Sequence, residues 1–364
     1  MSRAKQRWLP AVLLPFAVAI AVVFGSVQAG ATVSLPPKSA DEILAMIART
    51  EVRALSGTVE QNAALGLPEL PASAPGTGTG AASAMEFLSG SHTARVYADG
   101  PLKARLQVLD HLAERDVVIN GSEAWLYNSK DNSATHVTRP APQMPATEMP
   151  GEDPPADGIP TPEAMASRFL AAIDTTTEVT IADGASVAGR SAYSLVLSPR
   201  STGTLVDSVS IAVDSQTGLP LRVEVRAKGQ PEPAYSLAYT QLDLSRPDAA
   251  LFEFTPPQGA TVNEKVLPNV QATPAHGGHD HSGQNPGSKV PAVSGQGWDS
   301  VLSLPAGSVP AEVTSNPQLS QMLHPVAGGR AVTSSLVSVL ILDDGRVYAG
   351  MVLLERLQSA AAAQ

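Results

Sequence analysis

The sequence predicts an α+β protein whose main part is a long antiparallel sheet with one apolar face. Four runs between Ala192 and Leu242 alternate apolar and polar residues, and a period of two is typical of half-buried strands. The apolar positions of these runs are Tyr193, Leu195, Leu197, Val209, Ile211, Val213, Leu221, Val223, Val225, Leu237 and Tyr239. Two amphipathic helical patterns accompany the strands, and 31 Pro and 29 Gly in 364 residues favour many turns over long helices.

The beginning of the chain has the pattern of a signal peptide. Three basic residues precede an apolar run from Leu9 to Phe24, and small residues follow up to Ala31. We therefore predict that residues 1–31 are a signal peptide and that the protein is exported to the cell envelope or its extracellular face. The alternative is an N-terminal anchor, because residues 9–27 are long enough to span a bilayer.

The composition limits the class of ligand. The chain has no Cys, which excludes a disulfide framework and thiol chemistry. Its 24 Lys and Arg against 34 Asp and Glu give a net charge of −10, and removing the three N-terminal cations changes this charge to −13. An acidic protein binds nucleic acid poorly, so no nucleic-acid partner is expected.

Residues 32–267 are predicted to form the main β domain. Its first helix begins at Ser39, which forms a capping box with Glu42. Strands are then predicted at residues 55–61, 93–97, 104–109, 116–119 and 123–128. Residues 131–160 are acidic and rich in Pro, and they predict a long loop of the kind that forms lids and binding loops.

A second helix is predicted to begin at Thr161, with Pro162 at the first helical position and Glu163 in the first turn. The four alternating runs follow this helix. Phe252 and Phe254 are then predicted to alternate into the core before two consecutive prolines end the sheet.

Residues 268–297 have the composition of a flexible linker, and residues 298–364 predict a small module with a hairpin around the turn DDG and a final helix. The linker contains three histidines at a spacing that suits Zn²⁺, Ni²⁺ or Cu²⁺. These candidate metal ligands are His276, His279 and His281. The alternative is a polar linker that contains His without binding metal, because no predicted element holds the ligands rigidly.

No catalytic signature was found among the GxSxG, HExxH, SxxK and Walker patterns. The histidines outside the linker have no visible acid partner in the sequence. We therefore expect a protein that is not an enzyme and that uses no cofactor.

Five stretches, taken in order, resemble the superfamily of LolA-like outer-membrane lipoprotein carriers and MucB/RseB-type regulators of envelope stress. They are SADEILAMI, DVVINGSEAWLYN, TPEAMASRFLAA, VDSQTGLPLRVEV and FEFTPPQGATV. The resemblance implies a curved, half-open antiparallel β-barrel covered by amphipathic helices, with acyl chains between sheet and helices. It also implies a small C-terminal α/β hairpin module, as in actinobacterial relatives.

A sheet with one apolar face and only two helices to cover it is expected to leave apolar area or a cavity. The residues predicted to line that space are Ile43, Ile47, Trp125, Tyr127, Met165, Phe169, Leu170 and Tyr193. Their alternative role is ordinary core packing. Two functions follow: the protein holds a lipid or lipoprotein acyl chain, or it regulates envelope signalling by binding a membrane-anchored protein of the anti-sigma type.

Overall fold

The computed structural model describes residues 34–66, 90–109, 113–138, 160–266, 292–308 and 322–363. These residues form two β-sheets and three α-helices, so the predicted α+β class, dominated by strands, is confirmed.

The three helices are α1, α2 and α3, at Ala40–Ala48, Pro162–Ala171 and Leu354–Ala362. In the cap of α1, Ser39 Oγ accepts a hydrogen bond from the Glu42 amide at 3.2 Å, and the Glu42 carboxylate accepts one from the Ser39 amide at 2.6 Å. The predicted capping box is therefore present. At the start of α2, Thr161 Oγ1 accepts a hydrogen bond from the Ala164 amide at 3.3 Å, and Pro162 occupies the first turn.

The first sheet has twelve strands. They are β1 (Ala54–Ala63), β2 (Gly90–Asp99), β3 (Lys103–Leu109), β4 (Glu114–Asn120), β5 (Glu123–Asn128), β6 (Ser133–Thr138), β7 (Thr177–Val187), β8 (Arg190–Pro199), β9 (Val206–Asp214), β10 (Pro220–Ala227), β11 (Tyr235–Asp243) and β12 (Thr261–Val266). Their order across the sheet is β12, β6, β5, β4, β3, β2, β1, β11, β10, β9, β8, β7. The sheet is antiparallel except between β6 and β12, and it is not closed. Because β7 also contacts β11, the sheet curls at that end.

Three strands of this sheet were not expected from the sequence. Strand β6 lies inside residues 131–160, where a loop was predicted, and β7 follows α2 without an alternating apolar pattern. Strand β12 comes after Pro257, so the prediction that the prolines end the sheet is wrong. The chain turns at Gly259, which has a φ of +80°, and returns parallel to β6.

The second sheet has six strands. They are β13 (Ala292–Ser294), β14 (Val301–Leu304), β15 (His324–Val326), β16 (Gly329–Thr333), β17 (Ser338–Leu342) and β18 (Val347–Gly350). The DDG turn joins β17 to β18 as predicted, and α3 packs on these two strands. Strand β13 lies within the residues predicted as linker. The core between α3 and this sheet contains Leu340, Tyr348 and Leu357, which are 1%, 1% and 0% exposed.

Side-chain contacts connect the two sheets, in addition to the polypeptide backbone that links them. Trp298 and Leu336 come from loops of the second sheet, yet both belong to the core of the first sheet. The Trp298 indole N–H donates to Thr177 Oγ1 at 2.9 Å, and the ring stacks against Phe169 of α2 with 6.3 Å between centroids. Thr204 Oγ1 donates to the Met351 carbonyl at 2.6 Å. The second sheet therefore completes the packing of the first.

Candidate functional site

The strand register places apolar residues from the strands β8 to β11 and β1 to β5 on one common face of the first sheet. Residues that stand opposite each other on paired strands point to the same side. From β8 to β11 the face contains Leu195, Ile211, Val223 and Leu237, which pair in that order. From β1 to β5 it contains Val59, Ala94, Val96, Leu106, Val117 and Leu126. We call this surface the apolar face.

The two ends of the apolar face differ in burial. On β8 to β11 the face is fully buried: Leu195, Ile211 and Val223 are each 0% exposed. Helix α1 packs on β7 and β8, and α2 packs on β10 and β11. On β3 to β5, Leu106, Val117 and Leu126 are only partly buried, and none of the described helices covers them. Within the described residues, none of the three α-helices packs on β3 to β5, so the apolar face is less buried there than on β8 to β11.

A cavity of about 510 Å³ lies where these two halves meet. It is lined by Val52 and Arg53 before β1, Leu55 on β1, Ala98 on β2, and Gly100 and Pro101 in the next turn. Its volume falls in the range of about 300–1,000 Å³ that is usual for small-molecule sites.

Small and aliphatic residues continue from the cavity across the uncovered half. Ala98 pairs with Ala104, Ala104 with Ile119, Ile119 with Ala124, and Ala124 with Val137. Four strand spacings of roughly 4.8 Å give this row a length of about 19 Å. We call the row from Ala98 to Val137 the apolar track. The sequence predicted exposed apolar area or a cavity, but not the residues that line it or the apolar track, because the alignment of the alternating alanines depends on strand register.

Trp125 and Tyr127 lie on the other face of the sheet. Trp125 pairs with Val118, and Val118 pairs with Arg105, whereas the neighbouring Leu126 belongs to the apolar face. Tyr193 shares the parity of Leu195 and so points to the apolar face. This corrects the expectation that the two β5 aromatics and Tyr193 share one space.

An aromatic cluster lies on the face of the first sheet opposite to the apolar face, and the chain near the last strand, β12, packs against it. Trp125 stacks on His136 at 4.2 Å between centroids and packs against Phe254 at 5.4 Å. His136 Nδ1 lies 2.9 Å from a Glu264 carboxylate oxygen on β12. His136 therefore has an acid partner that the sequence did not reveal. The contact between His136 and Glu264 connects β12 to the aromatic cluster.

The other predicted lining residues lie beneath or within the two helices. Ile43 is 0% exposed and Tyr193 is 6% exposed, and both belong to the first core. Ile47, Met165, Phe169 and Leu170 are partly buried against that core. None of the eight predicted residues lines the 510 Å³ cavity. A ligand contact for these six helix-side residues stays a prediction.

One buried polar pair lies under α2. The Glu163 carboxyl faces the Tyr239 hydroxyl of β11, and burial raises the pKa of both groups. Neither Glu163 Oε1 nor Tyr239 Oη has a hydrogen-bond partner among the described residues. The sequence predicted Glu163 only as a favourable first-turn acid.

The described residues contain no group of three or more His, Asp or Glu side chains placed to hold a metal ion. The candidate ligands His276, His279 and His281 lie outside the described residues. Where the structure describes the chain, it also contains no helix long and apolar enough to cross a membrane.

No protein-family model and no curated protein sequence matches this chain. Solved structures that resemble it include MucB of Pseudomonas aeruginosa in its complex with MucA. That match has 17% identity, covers 88% of this chain and 96% of the other, and has a TM-score of 0.43. A LolA-superfamily protein from Nitrosomonas europaea has 12% identity and a TM-score of 0.24, over 60% of this chain and 99% of the other.

A putative outer-membrane lipoprotein-sorting domain from Vibrio parahaemolyticus is also similar, with 10% identity and a TM-score of 0.22, over 56% of this chain and 91% of the other. MucB and LolA-superfamily structures are thus among the solved structures that this chain resembles, as the sequence stretches suggested. The resemblance is one of structure.

Proposed function

We propose that this is an exported, non-enzymatic protein that binds the acyl chain of a lipid or lipoprotein on the apolar face of its first sheet. The observation that carries the proposal is the 510 Å³ cavity with the uncovered apolar track beside it. Burying each CH₂ group contributes about 0.8 kcal/mol, so a chain of some fifteen carbons contributes roughly 10 kcal/mol before entropic costs. Binding on this scale requires no reactive residue.

In this proposal the first sheet acts as the curved, half-open barrel that the resemblance implies. Helices α1 and α2 close one half, and the acyl chain covers the other half along the apolar track. The partly buried Leu106, Val117 and Leu126 supply the contact surface. Residues 1–31 direct the protein out of the cytoplasm in this proposal.

The first experiment is native mass spectrometry of residues 32–364, purified without detergent, followed by organic extraction of any ligand. We expect a bound lipid at near-stoichiometric occupancy. A protein that is ligand-free and also takes up no added lipid would contradict the proposal.

A pair of substitutions on one strand locates the site. Ala98→Phe fills the cavity, because Ala98 lines it. Thr93→Phe adds the same ring to β2 on the opposite face, where Thr93 pairs with Glu60. We expect Ala98→Phe to reduce lipid occupancy at least tenfold and Thr93→Phe to leave it unchanged. An equal loss in both variants would indicate general destabilisation instead of a blocked site.

A second candidate function is the binding of a membrane-anchored regulatory protein. It is favoured by Val293 and Leu302, which are 69% and 38% exposed and stand opposite each other on β13 and β14. Adjacent exposed aliphatic residues suit a protein partner. Crosslinking in the native envelope, with Val293→Asp as the control, tests this role. We expect one envelope protein to be captured by the natural chain and lost with the variant.

A further inference from the structure

One arginine, Arg53, lies at the edge of the cavity. Arg53 lines the cavity and its side chain is exposed. Its backbone carbonyl accepts a hydrogen bond from the Gly100 amide at 2.6 Å, which fixes the backbone at this position. Among the described residues no carboxylate pairs with the Arg53 guanidinium.

Two other charged residues near this edge, Asp99 and Arg49, do not compete for the proposed role of Arg53. Asp99, next to Gly100, already pairs with Arg246 at 3.0 Å. Arg49 is also exposed, but it belongs to the C-cap of α1 and is not part of the cavity lining. The chain as a whole is acidic, with a net charge of −10, so its overall field does not attract anions. A cation at this cavity is therefore a local feature.

We propose that the cavity takes an anionic amphiphile, whose acyl chain lies on the apolar face and whose carboxylate or phosphate group is bound by Arg53. This inference rests on the proposed acyl-binding function and adds the charge of the ligand. A guanidinium binds carboxylate and phosphate through two parallel hydrogen bonds. An acyl chain in the cavity also removes water from Arg53, and an anionic head group compensates the desolvated cation.

The test compares three ligands with the same sixteen-carbon chain. Palmitic acid carries a carboxylate, hexadecyl phosphate carries a phosphate, and 1-hexadecanol is neutral. Each is titrated against residues 32–364 loaded with the neutral fluorescent probe N-phenyl-1-naphthylamine. We expect the two anions to displace the probe at concentrations about tenfold lower than the alcohol. The ratio between carboxylate and phosphate identifies which head group the site prefers.

Two variants of Arg53 test whether this residue causes the stronger binding of the anionic ligands. Arg53→Gln removes the charge and keeps a shorter polar side chain, and we expect it to abolish the advantage of the anions while leaving the alcohol unaffected. Arg53→Lys keeps a point charge and is expected to retain part of the advantage. Arg49→Gln is the matched control and is expected to behave as the natural chain.

The outcomes separate the two proposals. If all three ligands bind equally well to the natural chain, or if Arg53→Gln weakens all three alike, the inference about Arg53 is wrong and the acyl-binding function stands. If none of the ligands displaces the probe, both proposals are wrong.

Discussion

At the scale of single residues, the position of Glu163 has two opposed effects on the ionisation of its carboxyl group. A carboxylate in the first turn of a helix is favoured by the helix dipole. Here α2 packs on the sheet, so the Glu163 carboxyl is enclosed against Tyr239 and burial raises its pKa. In the folded state the protonated form is therefore favoured more than in the unfolded chain. This contribution to stability is present at pH values below the unfolded pKa and is lost as the pH rises through the folded pKa.

We expect Glu163→Gln to stabilise the protein at neutral pH, by about 1–3 kcal/mol, because it removes a carboxyl group whose ionisation is opposed by burial. The measurement is urea unfolding between pH 4 and pH 8. The natural chain is expected to lose stability above the ordinary glutamate pKa of about 4.5, whereas the variant is expected to show a flatter profile in the same range. Parallel profiles for the two proteins would contradict this account.

At the scale of elements, the position of α1 depends on a turn in the sheet. Gly218 lies between β9 and β10 with a φ of +75°, and a Cβ at this position would clash with the Met46 carbonyl of α1. Gly229, between β10 and β11, has a φ of +77°, but a Cβ there would have no neighbouring atom within 4 Å. Both turns require a residue that adopts the left-handed backbone conformation, but only at Gly218 would a side chain also collide with α1.

The two glycines form a matched pair of substitutions. We expect Gly229→Ala to cost about 1 kcal/mol of unfolding free energy, from backbone strain alone. We expect Gly218→Ala to cost about 2–3 kcal/mol more and to increase hydrogen exchange in α1, because the helix must move off the sheet. Equal costs, with unchanged exchange in α1, would show that the turn does not hold the helix.

The elements also show how far the sequence predicts this fold. The capped helices, the four alternating runs and the DDG hairpin follow from local patterns, and the structure contains them. Strand β6 was missed because its pairing on both sides, and not its apolar content, holds it in the sheet.

The candidate site was predicted less well than the fold, because its position depends on strand register. A period of two shows which residues of one strand share a face, but not which face of the sheet they share. Strand β5 has apolar residues on both faces, with Trp125 and Tyr127 on one and Leu126 on the other. The larger aromatic residues suggested the ligand side, whereas the register places them on the face opposite to Leu126 and the apolar track, where the proposed ligand would lie.

At the scale of the whole molecule, the second sheet has its own core with α3 but also contributes side chains to the core of the first sheet. Trp298 is 8% exposed and packs with the first sheet, and Ser201 Oγ donates to the Asp299 carboxylate at 2.6 Å beside it. Helix α2 is thus held between the sheet on one side and Trp298 on the other, through Phe169. Unfolding of either sheet is therefore expected to expose apolar surface of both.

We expect the natural chain to unfold in a single thermal transition and Trp298→Ala to unfold in two, because the substitution removes a large buried side chain that packs between the sheets. The cost to the first sheet is expected to be about 3–5 kcal/mol. Differential scanning calorimetry measures both quantities. Val293→Ala, on the exposed surface of the same module, is the control and is expected to change stability by less than about 0.5 kcal/mol. A single unshifted transition for Trp298→Ala would contradict this role of Trp298.

The position of Trp298 in the chain also has a consequence for biosynthesis. A polypeptide leaves the ribosome from its N-terminus, at about 5–20 residues per second. The last strand of the first sheet is complete at Val266, but the ring and the aliphatic side chain that finish its interior, Trp298 and Leu336, are made later. For several seconds the nascent chain has every strand of that sheet and an incomplete interior. We therefore expect the first sheet to reach its full stability, wherever it folds, only once the chain up to Leu336 is available to complete its interior.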